Sequence, residues 1–373
     1  MPNRPLFIVV AAILAGCAKH EAGSELVVRI GSVAPLTGPQ SHLGKDNDNG
    51  VRLAAEEINA SNLVIGGKKA RIEVLSEDDQ ADPRTATVVA QKLVDEGVNG
   101  VIGDLNSGTS IPASKIYSDA GIPQISPSAT AIAFTSQGFK TAFRVITNDR
   151  QQGEALAQFA TAKLHAKSIA IIDDRTAYGQ GLADEFGKDA KALGANIVAR
   201  EYTSDHATDF TAILTSIKGK HPDLVFYGGM DAQSGPMMRQ LRNLGMNVAF
   251  LGADGSKSPE FIRLAGRSAE GAYASTPGMP LDKMPGGQAF IEKYNARYGK
   301  IQLYSPYSYD ATRVMVEAMK KAGSAEPSKY LPYLSKTEWQ GVTGPISFDD
   351  KGDIRRGTVT LYQVVNGSWK AIP

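Results

Sequence analysis

Two short polar segments hold the residue types best suited to binding chemistry. The first, residues 107–110, contains two serines and a threonine and follows the apolar run 100–103. The second, residues 126–130, follows the apolar run 122–125. Each apolar run predicts a short buried strand, and residues 111–120 between them predict a helix. Hydroxyl groups and the free N–H groups of a helix N-terminus donate hydrogen bonds to anions, so the two segments predict a carboxylate or other anion site.

Two neighbouring strands of a parallel sheet end at the same edge, which is where open α/β sheets bind their ligands. The glycines in these loops let the backbone approach a ligand closely. The same residues have an ordinary structural explanation, because Ser and Thr are common helix N-caps and Ser126-Pro-Ser is a common turn sequence. The local pattern alone leaves both explanations open.

The rest of the chain alternates apolar strand-like runs with amphipathic segments, which predicts parallel β/α layers. One run of alternation covers residues 26–146 and a second covers 149–275, with a break near Asn148. Beyond them, short strands are predicted around 346–348 and 358–365. We expect these late segments to complete the two earlier sheets, so that the chain crosses between two lobes several times.

Composition and motifs exclude several classes of function. The chain has 373 residues, a net charge of +1 and 42% hydrophobic residues, which predicts packed cores and no electrostatic footprint for nucleic acid. It contains no Gly-x-Ser-x-Gly elbow, no His-Glu-x-x-His, no phosphate loop and no dinucleotide fingerprint. The five histidines are scattered without metal-ligand spacing. We therefore expect a binding protein, not an enzyme, without a metal or cofactor.

The N-terminus predicts an export signal. A short charged start and the apolar run 6–15 are followed by small residues and then by Cys17, the single cysteine of the chain. This pattern resembles the lipobox of bacterial lipoproteins, in which the cysteine is acylated after cleavage. Residues 1–16 would then be a lipoprotein signal peptide and 17–25 a tether, whereas a plain secretory signal with an incidental cysteine is the alternative.

Short motifs along the whole mature chain resemble the periplasmic leucine/isoleucine/valine-binding proteins of ABC importers. They occur in order and at fitting intervals. The matching positions are 37–39, 79–83, 101–103, Ser107, Pro112, Ala113, 126–130, 174–179, 227–229 and 252–254. Each motif is weak by itself, but their joint order is specific.

The resemblance implies an α/β fold with two doubly wound, Rossmann-like lobes joined by a three-crossing hinge, known as a type I periplasmic binding protein. The crossings would fall near Asn148, Thr276 and Gly352. They divide the chain into lobe 1, residues 26–147 and 277–351, and lobe 2, residues 148–276 and 352–373.

The family's ligand contacts carry over to specific residues here. The ligand carboxylate would bind Ser107 and Ser128, and Thr130 would be shared between carboxylate and ammonium. Asp254 would pair with the ammonium in place of the family's Glu, and Tyr178 would close over the ligand from lobe 2. From the residues alone, Asp254 could instead cap a nearby turn or helix, and Tyr178 could simply pack against its sheet.

Other expected pocket positions depart from the family pattern. The leucine-type proteins carry aromatic residues where this chain has Leu43 and Met230, and Ala81 and Asn106 stand at the positions of the family's disulfide. The side-chain pocket is therefore expected to be remodelled but mostly apolar. The further expected ligand contacts are Leu43, Leu105, Asn106, Met230 and Tyr304.

The implied function is that of an extracytoplasmic solute-binding subunit of an ABC importer. Such a monomer would capture a branched-chain or other aliphatic amino acid, close around it and deliver it to the permease and ATPase subunits, anchored to the membrane through Cys17. Three alternatives differ from it: a same-fold protein that binds an amide, one that binds an aromatic acid, and a ligand-sensing protein that serves a receptor.

Overall fold

The computed structural model describes residues 25–373. The predicted signal peptide, the lipidation site Cys17 and the tether up to residue 24 lie outside the described residues.

Strands and helices alternate along most of the chain. The first stretch contains β1 (Leu26–Ala34), α1 (Ser41–Ala60), β2 (Val64–Ile65), β3 (Lys68–Asp78), α2 (Pro83–Asp95), β4 (Gly100–Ile102), α3 (Ser107–Asp119), β5 (Gln124–Ser126), α4 (Ile132–Ser136) and β6 (Ala142–Arg144). The second contains α5 (Asp149–Gln158), β7 (Ser168–Asp173), α6 (Ala177–Ala192), β8 (Asn196–Tyr202), α7 (Thr211–Lys218), β9 (Leu224–Gly228), α8 (Asp231–Asn243), β10 (Ala249–Gly252), α9 (Pro259–Ala265) and β11 (Tyr273–Pro277). The last contains α10 (Gly287–Tyr298), α11 (Ser305–Ala322), α12 (Pro327–Leu334), β12 (Trp339–Gln340), β13 (Pro345–Ile346), β14 (Val359–Val365) and β15 (Ser368–Ala371).

Two large sheets organise these elements into two lobes. Within residues 25–373, the lobe 1 sheet has the order β2-β3-β1-β4-β5-β6 and the lobe 2 sheet has the order β15-β14-β11-β10-β9-β7-β8. In lobe 1 the strands β3, β1, β4, β5 and β6 pair in parallel in this order, and in lobe 2 the strands β11, β10, β9, β7 and β8 do so. The predicted α/β fold with doubly wound lobes is confirmed.

The chain passes between the two sheets three times. It leaves lobe 1 after β6, returns to it with α10 to α12, and goes back to lobe 2 with β14 and β15. The first and third crossings are tied together, because the buried Arg144 guanidinium donates to Asp353 and Asn148 Nδ2 donates to the same carboxylate at 3.1 Å. We propose that the lobes comprise residues 26–147 with 277–351 and residues 148–276 with 352–373.

Part of the tail prediction is wrong. Strands β14 and β15 do complete the lobe 2 sheet, as antiparallel additions next to β11. The segment predicted around 346–348 does not join the lobe 1 sheet, because β13 pairs with β12 as a separate two-stranded sheet. Its small size left too short an apolar pattern to show which partner it would take.

Two helices begin earlier than the sequence predicts. Apolar residues at helical spacing between 51 and 58 predict a helix that begins near residue 50. Helix α1 instead begins at Ser41, although its first turns contain several Asp, Asn and Gly residues that disfavour helices. Long-range contacts hold this part: the Asp46 carboxylate accepts the backbone N–H groups of Leu303, Tyr304 and Ser305 at 2.7 to 2.9 Å. Helix α3 begins at Ser107 instead of Ile111, so the predicted hydroxyl loop forms its first turn.

One apolar cluster spans both lobes. It contains Leu43 and Leu105 from lobe 1, together with Tyr178 and Met230 from lobe 2, all less than a tenth exposed. Burial of such side chains between the lobes stabilises a closed arrangement through the hydrophobic effect.

Candidate ligand-binding site

A small cleft lies where the carboxyl ends of the two parallel sheets face each other. Strands β4 and β5 lead into its lobe 1 side, and β7, β9 and β10 lead into its lobe 2 side. The lobes leave a cavity of only about 10 Å³ between these residues, about the space that a single water molecule occupies. The cleft is therefore nearly closed, and a larger molecule can enter it only when the lobes separate.

The structure brings together eight of the ten predicted ligand contacts. The cleft is lined by Leu105, Asn106, Ser107, Ser128, Tyr178, Met230, Asp254 and Tyr304. The other two, Leu43 and Thr130, are fully buried beside it and do not line its wall. Leu43 packs in the apolar cluster between the lobes, since α1 begins early enough to carry it there.

The lobe 1 side is built from hydroxyl groups around the α3 N-terminus. Ser107 Oγ accepts the backbone N–H of Ala131 at 3.1 Å, which leaves its own proton available for donation. Ser128 Oγ donates to the Leu105 carbonyl at 3.0 Å and accepts from Asn47 Nδ2 at 3.2 Å. Ser107 is therefore ready to bind an anion, whereas Ser128 must first exchange its bond to Leu105.

The lobe 2 side is built around a buried carboxylate. Asp254 is 1% exposed, and its two oxygens accept from Tyr178 OH at 2.8 Å and from Tyr304 OH at 2.6 Å. Tyr178 OH in turn accepts the N–H of Gly255 at 2.9 Å. Because Tyr304 belongs to lobe 1, its bond to Asp254 joins the two lobes across the cleft.

The structure excludes the alternative role of Asp254 as the cap of α9. Ser258 Oγ accepts the N–H of Phe261 at 3.0 Å and so caps that helix. Tyr178 likewise does more than pack against its sheet, because its hydroxyl fixes one oxygen of Asp254. Close packing supports this arrangement: a Cβ on Gly255 would lie 2.7 Å from Met230 Sδ and 3.0 Å from Tyr178 Cε1.

Burial controls the protonation of this side of the cleft. Desolvation raises the pKa of Asp254, and the hydrogen bonds from Tyr304 and Tyr178 oppose that rise. Burial next to the Asp254 charge holds the pKa of both tyrosines well above the usual range, so they remain donors. A cation placed beside Asp254 would favour its charged form and strengthen the pairing.

Sequence reasoning missed a group of buried polar residues behind the cleft. Asp149 and Gln152 project from the first turns of α5, and Gln152 Oε1 accepts from Ser275 Oγ at 3.0 Å. Burial, together with the charge of Asp254, raises the pKa of Asp149 to about 7. Thr130 Oγ1 is next to this carboxylate without reaching hydrogen-bond geometry. The polar residues at spacing i, i+3 on one face of a predicted helix were the available signal.

Two α/β lobes around a cleft that combines anion donors with a buried carboxylate define a two-lobed solute-binding protein. The family model described as periplasmic binding protein matches residues 27–368. The chain therefore belongs to the periplasmic binding protein family, in its branched-chain amino acid-binding group associated with ABC transporters.

Similar proteins cover nearly the full chain. The leucine-, isoleucine-, valine-, threonine- and alanine-binding protein of Pseudomonas aeruginosa is 32% identical over 95% of this chain and 94% of its own. The crystal structure of the leucine-binding protein LivK of Thermotoga maritima has a TM-score of 0.86 at 29% identity, over 93% of this chain and 98% of that one. LivJ of Streptococcus pneumoniae, solved with isoleucine, has a TM-score of 0.84 at 28% identity over 93% and 99%.

These relatives confirm the predicted family and the prediction of a solute-binding protein that is not an enzyme. Membership in a periplasmic family places the protein outside the cytoplasm. In residues 25–373, no helix combines the length and apolarity needed to cross a membrane.

Proposed function

We propose that this protein captures an amino acid with an aliphatic side chain in the cleft and delivers it to an ABC permease. The proposal rests on the opposite charge preferences of the two sides of the cleft. Hydroxyl donors and the α3 N-terminus lie on one side of the cleft, and the buried Asp254 lies on the other. This arrangement complements the carboxylate and the ammonium of a zwitterion at the same time.

The apolar part of the cleft sets the class of side chain. Leu105 and Met230 are buried members of its wall, and Leu43 packs behind them. Such a wall favours an aliphatic side chain, and the flexible Met230 adapts to more than one shape. The similar Pseudomonas protein, whose printed name includes threonine and alanine as well as the branched-chain amino acids, supports a tolerant pocket.

Binding would proceed by closure. The open cleft first binds the ligand carboxylate on Ser107 and Ser128, and lobe 2 then rotates about the three crossings to bring Tyr178, Met230 and Asp254 onto it. Each charge-assisted hydrogen bond contributes about 1.5–3 kcal/mol. The desolvation of the charged groups and the loss of translational and rotational freedom offset much of the sum. A net of roughly −8 kcal/mol, near micromolar affinity, is expected.

A thermal-shift screen against the standard amino acids, simple amides and aromatic acids tests the proposal. Ligand at about a hundred times its dissociation constant stabilises the protein by about 2.7 kcal/mol, which gives a clear shift in Tm. Stabilisation by leucine, isoleucine, valine or another aliphatic amino acid is expected. Stabilisation by none of the amino acids would refute the proposal.

A second candidate ligand is an acid without an amino group. Both oxygens of Asp254 already accept tyrosine hydroxyls, and burial raises its pKa, so the lobe 2 side is satisfied without a cation. Comparing L-leucine with 4-methylpentanoate, the same molecule without its amino group, separates the two candidates. Tighter binding of 4-methylpentanoate would favour the acid.

We further propose that residues 1–16 are cleaved and that acylated Cys17 anchors the protein at the membrane. Mass spectrometry of the protein from a bacterial membrane fraction would show an acylated N-terminal Cys17. An unmodified N-terminus at another residue would indicate a plain secretory signal. Co-purification with a permease and its ATPase subunit would support the transport partners over a receptor.

A further inference from the structure

A polar contact joins the two lobes outside the ligand cleft. His42 lies in the first turn of α1 in lobe 1, and Asp231 is the first residue of α8 in lobe 2. His42 Nε2 is 2.7 Å from Asp231 Oδ2, within hydrogen-bond distance. Neither residue lines the cleft. Both follow the carboxyl ends of strands, so the contact exists only when the lobes have approached each other.

The two partners are held very differently. The Asp231 side chain is fully buried, whereas the His42 side chain is 23% exposed, so solvent reaches the pair from the lobe 1 side. Ser258 donates its hydroxyl to the same Asp231 oxygen that His42 contacts. The other oxygen, Oδ1, is buried and has no hydrogen-bond partner within residues 25–373. A buried carboxylate that accepts so few hydrogen bonds is strongly stabilised by a cationic partner.

The charged groups around His42 are mainly acidic. Asp231 faces it from α8 and Glu260 faces it from α9, and the nearby Pro39 backbone also favours its protonated form. Arg263 on α9 pairs with Glu260 and neutralises part of that charge. Burial alone would lower the pKa of His42, but the bond to Asp231 and the two acidic charges raise it above its usual value.

We propose that His42 and Asp231 form a latch that stabilises the closed state and thereby sets ligand affinity without touching the ligand. This inference rests on the proposed function, since it assumes that the lobes open and close around a ligand. Opening separates the pair, leaves Asp231 without its cation and returns His42 to water. The latch therefore positions lobe 2 for binding and makes closure depend on pH.

The direction of the pH effect follows from the raised pKa of His42 in the closed state. The latch is complete below the ordinary histidine value of about 6.5 and is lost as the pH rises through the higher value of the closed state. Closure and ligand affinity should therefore be greater at about pH 6 than at about pH 8.5.

Distance measurements between spin labels test the latch without any ligand. Cys17 is replaced by Ser, and labels are attached through Val88→Cys on α2 of lobe 1 and Leu193→Cys after α6 of lobe 2, both exposed. We expect a larger closed fraction at about pH 6 than at about pH 8.5. His42→Gln and Asp231→Asn should each reduce this difference, and the remainder is expected from other groups such as Asp149, whose pKa is about 7. His206→Gln, a matched change at an exposed histidine, should leave it intact.

The affinity for L-leucine at the two pH values provides a second test of the latch. The unmodified protein should bind L-leucine about fivefold more tightly at about pH 6 than at about pH 8.5, and His42→Gln should reduce that ratio. Equal closed fractions at the two pH values, or a pH dependence that is as large in His42→Gln and Asp231→Asn as in the unmodified protein, would overturn the latch. If no amino acid binds, the proposed function fails while the label distances still decide the latch.

Discussion

The two lobes present different kinds of side chain to the cleft. Lobe 1 offers the small hydroxyl residues Ser107 and Ser128, whose side chains form hydrogen bonds with backbone groups of lobe 1. Lobe 2 offers the larger Tyr178 and Met230 and the buried Asp254. In the proposed binding mode, the first set binds a carboxylate, a group that many ligands share, whereas Asp254 binds the ammonium that distinguishes an amino acid from other acids. Discrimination between amino acids and other acids should therefore reside mainly in lobe 2.

The lobes also use their buried carboxylates differently. Asp79 and Asp104 in lobe 1 are fully buried behind the α3 N-terminus and face each other's charge. Asp254 in lobe 2 faces the cleft. Removing a buried carboxylate should therefore raise the stability of the protein in lobe 1 and weaken ligand binding in lobe 2.

The largest effect is expected from Asp254→Asn. This change removes the partner of the ligand ammonium in a desolvated site and should weaken amino-acid binding by about 3 kcal/mol. Binding of 4-methylpentanoate, which has no ammonium, should change little. Isothermal titration calorimetry with both ligands measures the difference, and an equal loss for the two would remove the ammonium role from Asp254.

Ser107→Ala should weaken carboxylate binding by about 2 kcal/mol, because it deletes a hydroxyl donor to a charged group. Both L-leucine and 4-methylpentanoate should lose affinity to the same extent, in contrast to Asp254→Asn. Ser114→Ala on the same helix is the control, since Ser114 Oγ donates to the Ile111 carbonyl away from the cleft. A loss limited to L-leucine would contradict the carboxylate role.

Asp104→Asn should raise the free energy of unfolding by about 1 kcal/mol at about pH 8. Burial and the charge of Asp79 raise the pKa of Asp104 well above its usual range, and burial raises the pKa of Asp79 to about 6. The native state therefore keeps protons that the unfolded chain releases, so stability falls as the pH rises from about 4 towards the native pKa values.

Urea unfolding at about pH 4 and about pH 8 measures this effect. The gain from Asp104→Asn should shrink at the lower pH, where the unfolded chain also holds about half of these protons. Asp350→Asn, at a fully exposed aspartate, should show neither change. Destabilisation at both pH values would mean that the Asp104 carboxylate stabilises the native state.

The smallest effect is expected from Met230→Leu, which should change the affinity for L-leucine by less than about 1 kcal/mol. The two side chains have similar volumes, and such exchanges are tolerated well. Calorimetry with L-leucine and L-valine measures both affinity and preference. A loss of more than about tenfold would show that the wall discriminates through the shape or sulfur of Met230 itself.

The sequence predicts the α/β alternation because strands such as β7 and β9 are continuous apolar runs between amphipathic helices. The loops after β4 and β5 predict Ser107 and Ser128, whereas the other cleft residues are predicted only by the resemblance to the family, and Tyr304 follows a helix. The early start of α1 was not predictable, because Asp46 bonds to backbone groups more than 250 residues away. The contact between His42 and Asp231, 189 residues apart, likewise leaves no local pattern.

The orientation of a bound amino acid is the most direct measurement of whether the cleft recognises a zwitterion. In a crystal structure with the tightest-binding amino acid, we expect the carboxylate within hydrogen-bond distance of Ser107 and Ser128 Oγ. The ammonium should contact Asp254, with the side chain against Leu105 and Met230. A ligand ammonium that does not contact Asp254, or a ligand bound outside this cleft, would contradict the roles proposed for the two lobes.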